Sequence, residues 1–81
     1  MFYVYVLKSK KDKRHYIGFT IDLKKRIKEH ILGDVKSTSY RRPLELIYCE
    51  CYKDRKIAQK SERQLKGGKA HIALINRLTE G

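Results

Sequence analysis

The chain has 81 residues, of which 41% are hydrophobic and 36% are charged. This length allows one modest hydrophobic core, so we expect a single domain over residues 1–81 and exclude a second one. The 20 Lys and Arg residues outnumber the 9 Asp and Glu residues, and the net charge of +11 predicts a polyanionic partner, either nucleic acid or an acidic membrane surface.

The sequence shows no pattern typical of a membrane or secreted protein. No apolar run approaches the roughly 20 residues that span a bilayer. The chain also does not open with a charged and then apolar leader that ends in a small-residue cleavage site. We therefore expect a cytoplasmic protein with no membrane partner.

The two cysteines, Cys49 and Cys51, stand two positions apart in a run that looks extended. Residues at this spacing lie on the same face of one strand, where they rarely meet the geometry of a disulfide. With three scattered histidines they also lack the paired spacings of a structural zinc site. We interpret them as reduced cysteines that pack as small hydrophobic residues.

A β-hairpin is predicted at the start of the chain. Residues 2–7 are β-branched, aromatic or apolar throughout, which is typical of a strand with both faces partly covered. Polar residues 8–14 form a turn, and residues 15–19 form a second strand that can pair with the first.

A helix is predicted over residues 21–32. Thr20 is a suitable N-cap, Asp22 is favourable in the first turn, and Gly33 can adopt the left-handed conformation after the last turn. The next segment, 33–42, is polar and rich in Ser, Thr and Lys, and it precedes the only proline. We predict an exposed loop there.

The second half of the chain predicts one strand and two helices. Alternating apolar residues indicate a third strand from Leu44 to about Tyr52. Asp54 can cap a helix that runs to about Lys66, and a short last helix covers residues 70–78. The order β-β-α-β-α-α predicts a layered α+β (α/β) domain, with a small, mainly antiparallel sheet flanked by helices.

The first predicted helix carries two polar residues at the edge of its apolar stripe. That stripe, which should face the core, consists of Leu23, Ile27 and Ile31. Arg26 and His30 are spaced i,i+4 along its border, so both could point into one cleft. The ordinary alternative is that Arg26 pairs with Asp22 and that His30 is a partly buried edge residue.

Glu62 is the only acid inside the second predicted helix, and it lies at the border of that helix's apolar face. A carboxylate at such a border is a candidate ligand for Mg²⁺, which prefers oxygen ligands and often takes only one or two carboxylates. The alternative is an ordinary salt bridge to a nearby Lys or Arg.

Tyrosines mark both strands of the predicted hairpin. Tyr3 and Tyr5 share one face of the first strand, and Tyr16 on the second strand can lie across from one of them. Two phenols would then meet on the sheet surface, although strand tyrosines more often serve only in packing.

The order and spacing of these signals resemble the GIY-YIG nuclease superfamily. Its two motif halves appear as Tyr3-Val4-Tyr5, with tyrosine in place of the first glycine, and Tyr16-Ile17-Gly18. The resemblance continues through Gly18-Phe19-Thr20, Asp22 to His30, Lys36-Ser37-Thr38, Arg42 to Leu46, and Ser61 to Lys66. It covers nearly the whole chain and is closest in kind to small standalone members, which are similar to the N-terminal domain of a DNA-repair excinuclease.

This resemblance implies a three-stranded antiparallel sheet with helices and a DNA endonuclease of a kind used in repair or recombination. Glu62 would bind one Mg²⁺ or Mn²⁺ ion that polarises the scissile phosphate. Arg26 would hydrogen-bond that phosphate as charge develops. Tyr5 would accept the proton of the attacking water, which requires positive charge nearby because a phenol has a pKa near 10.

Four further roles complete the implied site. Tyr16 would orient the water or the phosphate, and His30 would hydrogen-bond one of the phenols. Gly18 would let the backbone approach the substrate or the following helix closely. Basic residues of the polar loop would contact the nucleic-acid backbone without reading its sequence. These residues are Lys36, Arg41 and Arg42.

Two other functions are compatible with so basic a chain. One is a module that binds DNA or RNA without cleaving it, although binding alone needs no carboxylate at a core border. The other is an assembly component, for example of a ribonucleoprotein, whose charge is solvated against RNA. The sequence identifies no protein partner.

Overall fold

Three strands and four helices follow one another in residues 1–80, which the computed structural model describes except for the side chains at positions 69, 70, 79 and 80. Their bounds are β1 Phe2–Ser9, β2 His15–Thr20, α1 Leu23–Leu32, α2 Lys36–Ser39, β3 Leu44–Tyr52, α3 Arg55–Lys66 and α4 Lys69–Glu80. Apart from the single turn of α2, this is the predicted order of an α+β domain.

The strands form one antiparallel sheet in the order β2-β1-β3, so β1 is central and β2 and β3 are its edges. The predicted hairpin of β1 and β2 is confirmed, and Tyr5 pairs with Gly18. The register between β1 and β3 shifts because Val6 pairs with Tyr48 whereas Leu7 pairs with Leu46. Ile47 is therefore an extra residue in β3, and such a bulge bends the strand locally.

One face of the sheet, here called the core face, packs against α3 and α4. Alternate residues of β1 supply Val4 and Val6, both fully buried. Around them lie Ile17, Ala58, Leu65 and Leu74, with Phe2, Phe19, Ile47, Tyr48 and Tyr52 at the margin. Burial of each large apolar side chain contributes about 1.5–3 kcal/mol, so this face supplies most of the packing energy.

The opposite face, here called the site face, carries Tyr5 and lies beneath α1 and α2. The N-cap of α1 is Asp22, whose carboxylate accepts from the backbone N–H of Lys25, and the prediction of Thr20 is wrong. The Thr20 hydroxyl instead accepts from the backbone N–H of Asp22. Gly33 has a φ of 84° at the end of α1, which confirms the left-handed position predicted there.

Two predictions about packing are wrong. The residue that α1 buries completely is His30, whereas Ile31 of the predicted core stripe is 57% exposed. Cys49 and Cys51 are free, as predicted, but both are exposed and neither is a packing residue. The predicted loop also contains α2. In the described part of the chain, no helix combines the length and apolar character needed to cross a membrane.

Candidate active site

Tyr5 lies at the centre of the site face, and its ring lies over Gly18 of the neighbouring strand. A Cβ atom at Gly18 would come within 2.3 Å of both Cζ and the hydroxyl oxygen of Tyr5, which no side chain can do without displacing the ring. The expected close approach at Gly18 is therefore present, but it accommodates Tyr5, whereas the predicted neighbours were the substrate or the next helix.

A chain of hydrogen bonds leads from Tyr5 into the protein. The Tyr5 hydroxyl lies 2.9 Å from Nε2 of His30, and Nδ1 of His30 lies 2.7 Å from the Thr38 hydroxyl. All three residues are fully buried. Buried polar groups without partners are costly, so α1, α2 and β1 hold one another in place through this chain.

The protonation states of this chain follow from its burial. Desolvation lowers the pKa of His30 to about 4, and the positive charge of Arg26 contributes to this lowering, so the imidazole is neutral at pH 7. Burial raises the pKa of Tyr5 to about 12, against the opposing effect of a hydrogen bond from Arg26. Tyr5 therefore keeps its proton, and the phenolate expected from nearby positive charge does not form in the free protein.

One tautomer of His30 fits these surroundings. Arg26, which has only donors, lies beside the Tyr5 oxygen, and this favours a Tyr5 hydroxyl that donates to Nε2 of His30. The Nδ1 atom then carries the ring proton and donates it to the Thr38 hydroxyl oxygen. Thr38 thus supplies the acceptor for the Nδ1 proton.

Arg26 lies at the rim of the site, with its side chain 36% exposed. The hydrogen bond with Tyr5 raises the pKa of its guanidinium, so it is always charged. Its ion-pair partner is Glu29, at 3.5 Å, and not Asp22 as in the ordinary alternative. The guanidinium therefore stands between the buried chain and solvent, where an anion can reach it.

Tyr16 is the more accessible of the two phenols. Its ring centre lies 5.1 Å from that of His30 and 6.3 Å from that of Tyr5, so the predicted meeting of two tyrosines is confirmed. Its direct partner across the hairpin is Leu7, which makes Tyr16 a diagonal neighbour of Tyr5. Tyr16 is half-buried, whereas Tyr5 is enclosed.

Glu62 projects from α3 with its side chain 20% exposed, and its negative charge contributes to the raised pKa of Tyr5, after burial and the other charges there. Its Oε2 atom lies 3.2 Å from the Lys66 ammonium one turn later, so the salt bridge weighed as an alternative is present. Among the side chains that the structure describes, no three of His, Cys, Asp or Glu are placed to hold a metal ion together. A single carboxylate fits Mg²⁺, which keeps several waters and takes phosphate oxygens as further ligands.

The three basic residues predicted to contact phosphate have different surroundings. Lys36 is exposed at the start of α2. Arg41 is only 13% exposed, because its guanidinium pairs with Asp12 at 3.0 Å, and it is a poor candidate for a phosphate contact. Arg42 is exposed, but its Nε donates to the Ser39 carbonyl at 2.9 Å and its guanidinium lies against Gly33.

Thr38 is the residue of this site that sequence reasoning missed. It lies in a segment predicted to be a loop, and no pattern in the chain marks it as buried. The signal that could have identified it is the Lys36-Ser37-Thr38 motif, which resembles the family without implying a role for Thr38. A hydroxyl eight residues after a histidine acquires its function only when α2 folds back onto α1.

Comparisons with known proteins identify the family to which the chain is similar. Residues 1–76 match the model of the GIY-YIG catalytic domain. The chain is 43% identical over 67 residues to a UPF0213 protein of Clostridium perfringens, covering 82% of this chain and 71% of that protein. It is 35% identical over 65 residues to a UPF0213 protein of Haloquadratum walsbyi, covering 79% and 72%.

A solved structure shares the fold. The solution NMR structure of a UPF0213 protein from Bacillus halodurans superposes with a TM-score of 0.61 at 31% identity. The match covers 100% of this chain and 88% of that one. The names of these relatives state no activity, so what the site does must be argued from its residues.

Proposed function

The chain belongs to the GIY-YIG catalytic-domain family, and from this premise we propose that it is an endonuclease that hydrolyses phosphodiester bonds in DNA with the help of a divalent cation. The observation that carries the proposal is the buried Tyr5–His30–Thr38 chain, which lies beside the accessible guanidinium of Arg26 and the half-buried ring of Tyr16. A binding surface alone has no need of a buried, fully hydrogen-bonded polar network beneath it.

Glu62 would hold the cation, Mg²⁺ or Mn²⁺, at the edge of the site. When bound, the metal polarises the scissile phosphate and stabilises the leaving oxygen. Lys66 neutralises the carboxylate in the free protein, so its ammonium has to move aside for a cation to bind. Because Lys66 is 55% exposed, that movement costs little.

Arg26 would bind the scissile phosphate. Its planar fork can donate two parallel hydrogen bonds to phosphate oxygens, and Tyr5 fixes its direction from behind. Charge accumulates on these oxygens in the transition state, so a donor that is already oriented stabilises that state more than the ground state.

The structure supports a division of labour between the two tyrosines that differs from the one the resemblance implies. Tyr5 is enclosed, protonated and engaged with two partners, so it serves to position Arg26 and His30. Tyr16 is the phenol that reaches solvent, and it would orient the attacking water or the phosphate. His30 supports Tyr5 as a neutral acceptor.

Thr38 would act through His30 as a positioning residue. By accepting the Nδ1 proton it leaves Nε2 with a lone pair toward Tyr5. If the proton moved to Nε2, the ring N–H would face the Tyr5 hydroxyl, which would have to turn its own proton away and lose the present arrangement with Arg26.

Contacts to the nucleic-acid backbone would come from exposed cations around this site. Lys36 is such a residue on α2, and Lys25 is another on α1. These contacts neutralise phosphates and fix orientation without reading bases, so binding would be nonspecific and salt-dependent. The net charge of +11 and the family favour DNA as the substrate, and the proposal includes a cytoplasmic role in repair or recombination.

The experiment that tests the proposal is a cleavage assay on the purified protein. Labelled DNA of several forms, namely single strand, plain duplex, nick, flap and junction, is incubated with Mg²⁺, with Mn²⁺ and with EDTA. We expect cleavage of at least one form with metal and none with EDTA. Binding to DNA without cleavage of any form under these conditions would refute the proposal.

A second function, nucleic-acid binding without cleavage, is favoured by one observation. The Glu62–Lys66 pair is an ordinary i,i+4 salt bridge and needs no cation to explain it. In this case Glu62 is a surface residue, and DNA affinity does not depend on Mg²⁺ at constant ionic strength. A metal titration of DNA binding therefore separates the two functions.

A further inference from the structure

An apolar groove lies on the surface between α1 and β3, on the opposite border of α1 from Arg26. Its volume is about 340 Å³. Its apolar lining consists of Leu23, Ile27, Ile31, Leu32 and Leu46. This set includes the whole stripe that the sequence predicts to be core, of which Leu23 and Ile27 are half-buried and Ile31 is exposed, so the apolar side of α1 borders the groove.

The groove is open because of how α1 and β3 are built. His30 is the α1 residue directed into the sheet, where Tyr5 and Thr38 hold it. Consequently Ile31 is 57% exposed and Leu32 is 59% exposed. Leu46, which stands next to the bulge in β3, is 40% exposed. Contiguous exposed apolar side chains with a polar border are typical of protein interaction sites.

The border of the groove is positively charged. Lys24 and Lys28 stand one turn apart on α1 and line it, and no acidic residue among the described ones does so. A second copy of the chain would bring another net charge of +11 to this border and would be repelled. A phosphate backbone would satisfy the lysines but would leave the apolar floor uncovered.

We propose that this groove binds an acidic amphipathic helix of a partner protein. Apolar side chains at i, i+3, i+4 and i+7 would cover the floor, and Asp or Glu residues beside them would face Lys24 and Lys28. The groove and the candidate active site lie on different borders of one helix, so the partner sits beside the site without covering it. Resting on the proposed function, this partner would direct an otherwise nonspecific nuclease.

The test uses a fluorescein-labelled peptide of about 14 residues, or four helical turns, with Leu at that helical spacing and Glu at the other positions. Its control is a peptide of the same composition with the Leu residues scrambled. Binding to the full chain is measured by anisotropy without DNA or metal, so the result does not depend on whether the protein cleaves DNA.

We expect saturable binding of the patterned peptide, weakened at least about tenfold by Ile31→Ser and by Leu46→Ser. The matched control is Ile57→Ser on α3, an equally exposed isoleucine outside the groove, which should leave affinity unchanged. Equal binding of the scrambled peptide would show attraction by charge alone and overturn the proposal. So would absence of saturable binding, an equal loss in Ile57→Ser, or a dimer of the chain that Ile31→Ser dissociates.

Discussion

The two faces of the sheet use alternate residues of the same strand for different purposes. On the core face, Val4 and Val6 are held by apolar contacts that any side chain of similar volume could make. On the site face, Tyr5 is buried just as completely, but it is held by hydrogen bonds to His30 and Arg26. These bonds depend on particular atoms and particular protonation states.

This contrast shows that complete burial has two meanings in one small domain. A vacancy on the core face costs packing energy and leaves chemistry unchanged. Loss of a hydrogen-bonding partner on the site face leaves the volume nearly filled but changes which atoms donate protons and which atoms accept them. Substitutions on the two faces should therefore separate stability from turnover, and the following measurements test that separation.

The largest expected effect of this kind is at Arg26. Arg26→Lys keeps the charge but loses the fork that Tyr5 orients, so turnover should fall by about 10²–10³-fold. Affinity for DNA should change little because the positive charge is kept. The free energy of unfolding should also change little, because the residue is partly exposed. Single-turnover cleavage and DNA titration measure the two quantities. An equal loss in both would place Arg26 in binding.

The next effect is a dependence of stability on pH that comes from His30. Its pKa is about 4 in the folded protein and about 6.5 in the unfolded chain, so only the unfolded state takes up a proton between these values. The stabilisation that comes from the neutral His30 is complete above pH 6.5 and is lost as the pH falls from there to 4. The loss in the free energy of unfolding reaches about 3 kcal/mol. The free energy of unfolding, measured in urea, should fall less steeply with decreasing pH for His30→Gln than for the unmodified protein. Parallel curves for the two proteins would contradict a neutral, buried His30.

On the core face, Val6→Ala should lower the free energy of unfolding by about 2 kcal/mol, because it leaves a small cavity under α3. The cleavage rate per folded molecule should match that of the unmodified protein, since Val6 lies on the opposite face of the sheet from Tyr5 and shares its cluster with Ala58 and Leu65 of α3 but not with Glu62. Denaturant curves and active-fraction measurements check this. A fall in rate beyond the unfolded fraction would show that the two faces are coupled.

The smallest effect is expected at Thr38. Thr38→Val keeps the shape but removes the acceptor of the Nδ1 proton, and turnover should fall about tenfold, as for other residues that orient a catalytic group. Thr38→Ser restores the acceptor and should restore the rate. The ¹⁵N shifts of His30 should report the Nδ1–H tautomer in the Thr and Ser proteins and a mixture of tautomers in Thr38→Val, where a buried Nδ1–H has lost its acceptor. The same tautomer in all three would leave Thr38 with a packing role.

Local patterns predicted much of this fold, because each element carries its own signals. The apolar strand residues, the Asp54 cap and the glycine after α1 lie within a few residues of what they determine. The prediction of the site depended on the order and spacing of the family motifs, which include Tyr5, Tyr16, Arg26 and Glu62.

What the sequence could not predict depends on contacts between distant segments. The periodicity of α1 does not reveal that a histidine and not an isoleucine faces the sheet, because the buried hydroxyl partners lie on β1 and α2. The groove depends on which side of α1 faces the sheet, and Leu46 in its lining stands next to the bulge at Ile47. Arg41 looks like any loop cation until Asp12, 29 residues earlier, is brought beside it.

The measurement that tests the central claim most directly is cleavage by Glu62→Gln. This exchange keeps size and hydrogen-bonding ability but removes the negative charge that holds a hard cation. We expect cleavage at moderate Mg²⁺ to fall by orders of magnitude, DNA binding to stay equal or tighten, and stability to change little. Full cleavage activity in Glu62→Gln, with only the slight loss of stability expected from breaking the Lys66 pair, would contradict the proposed metal site.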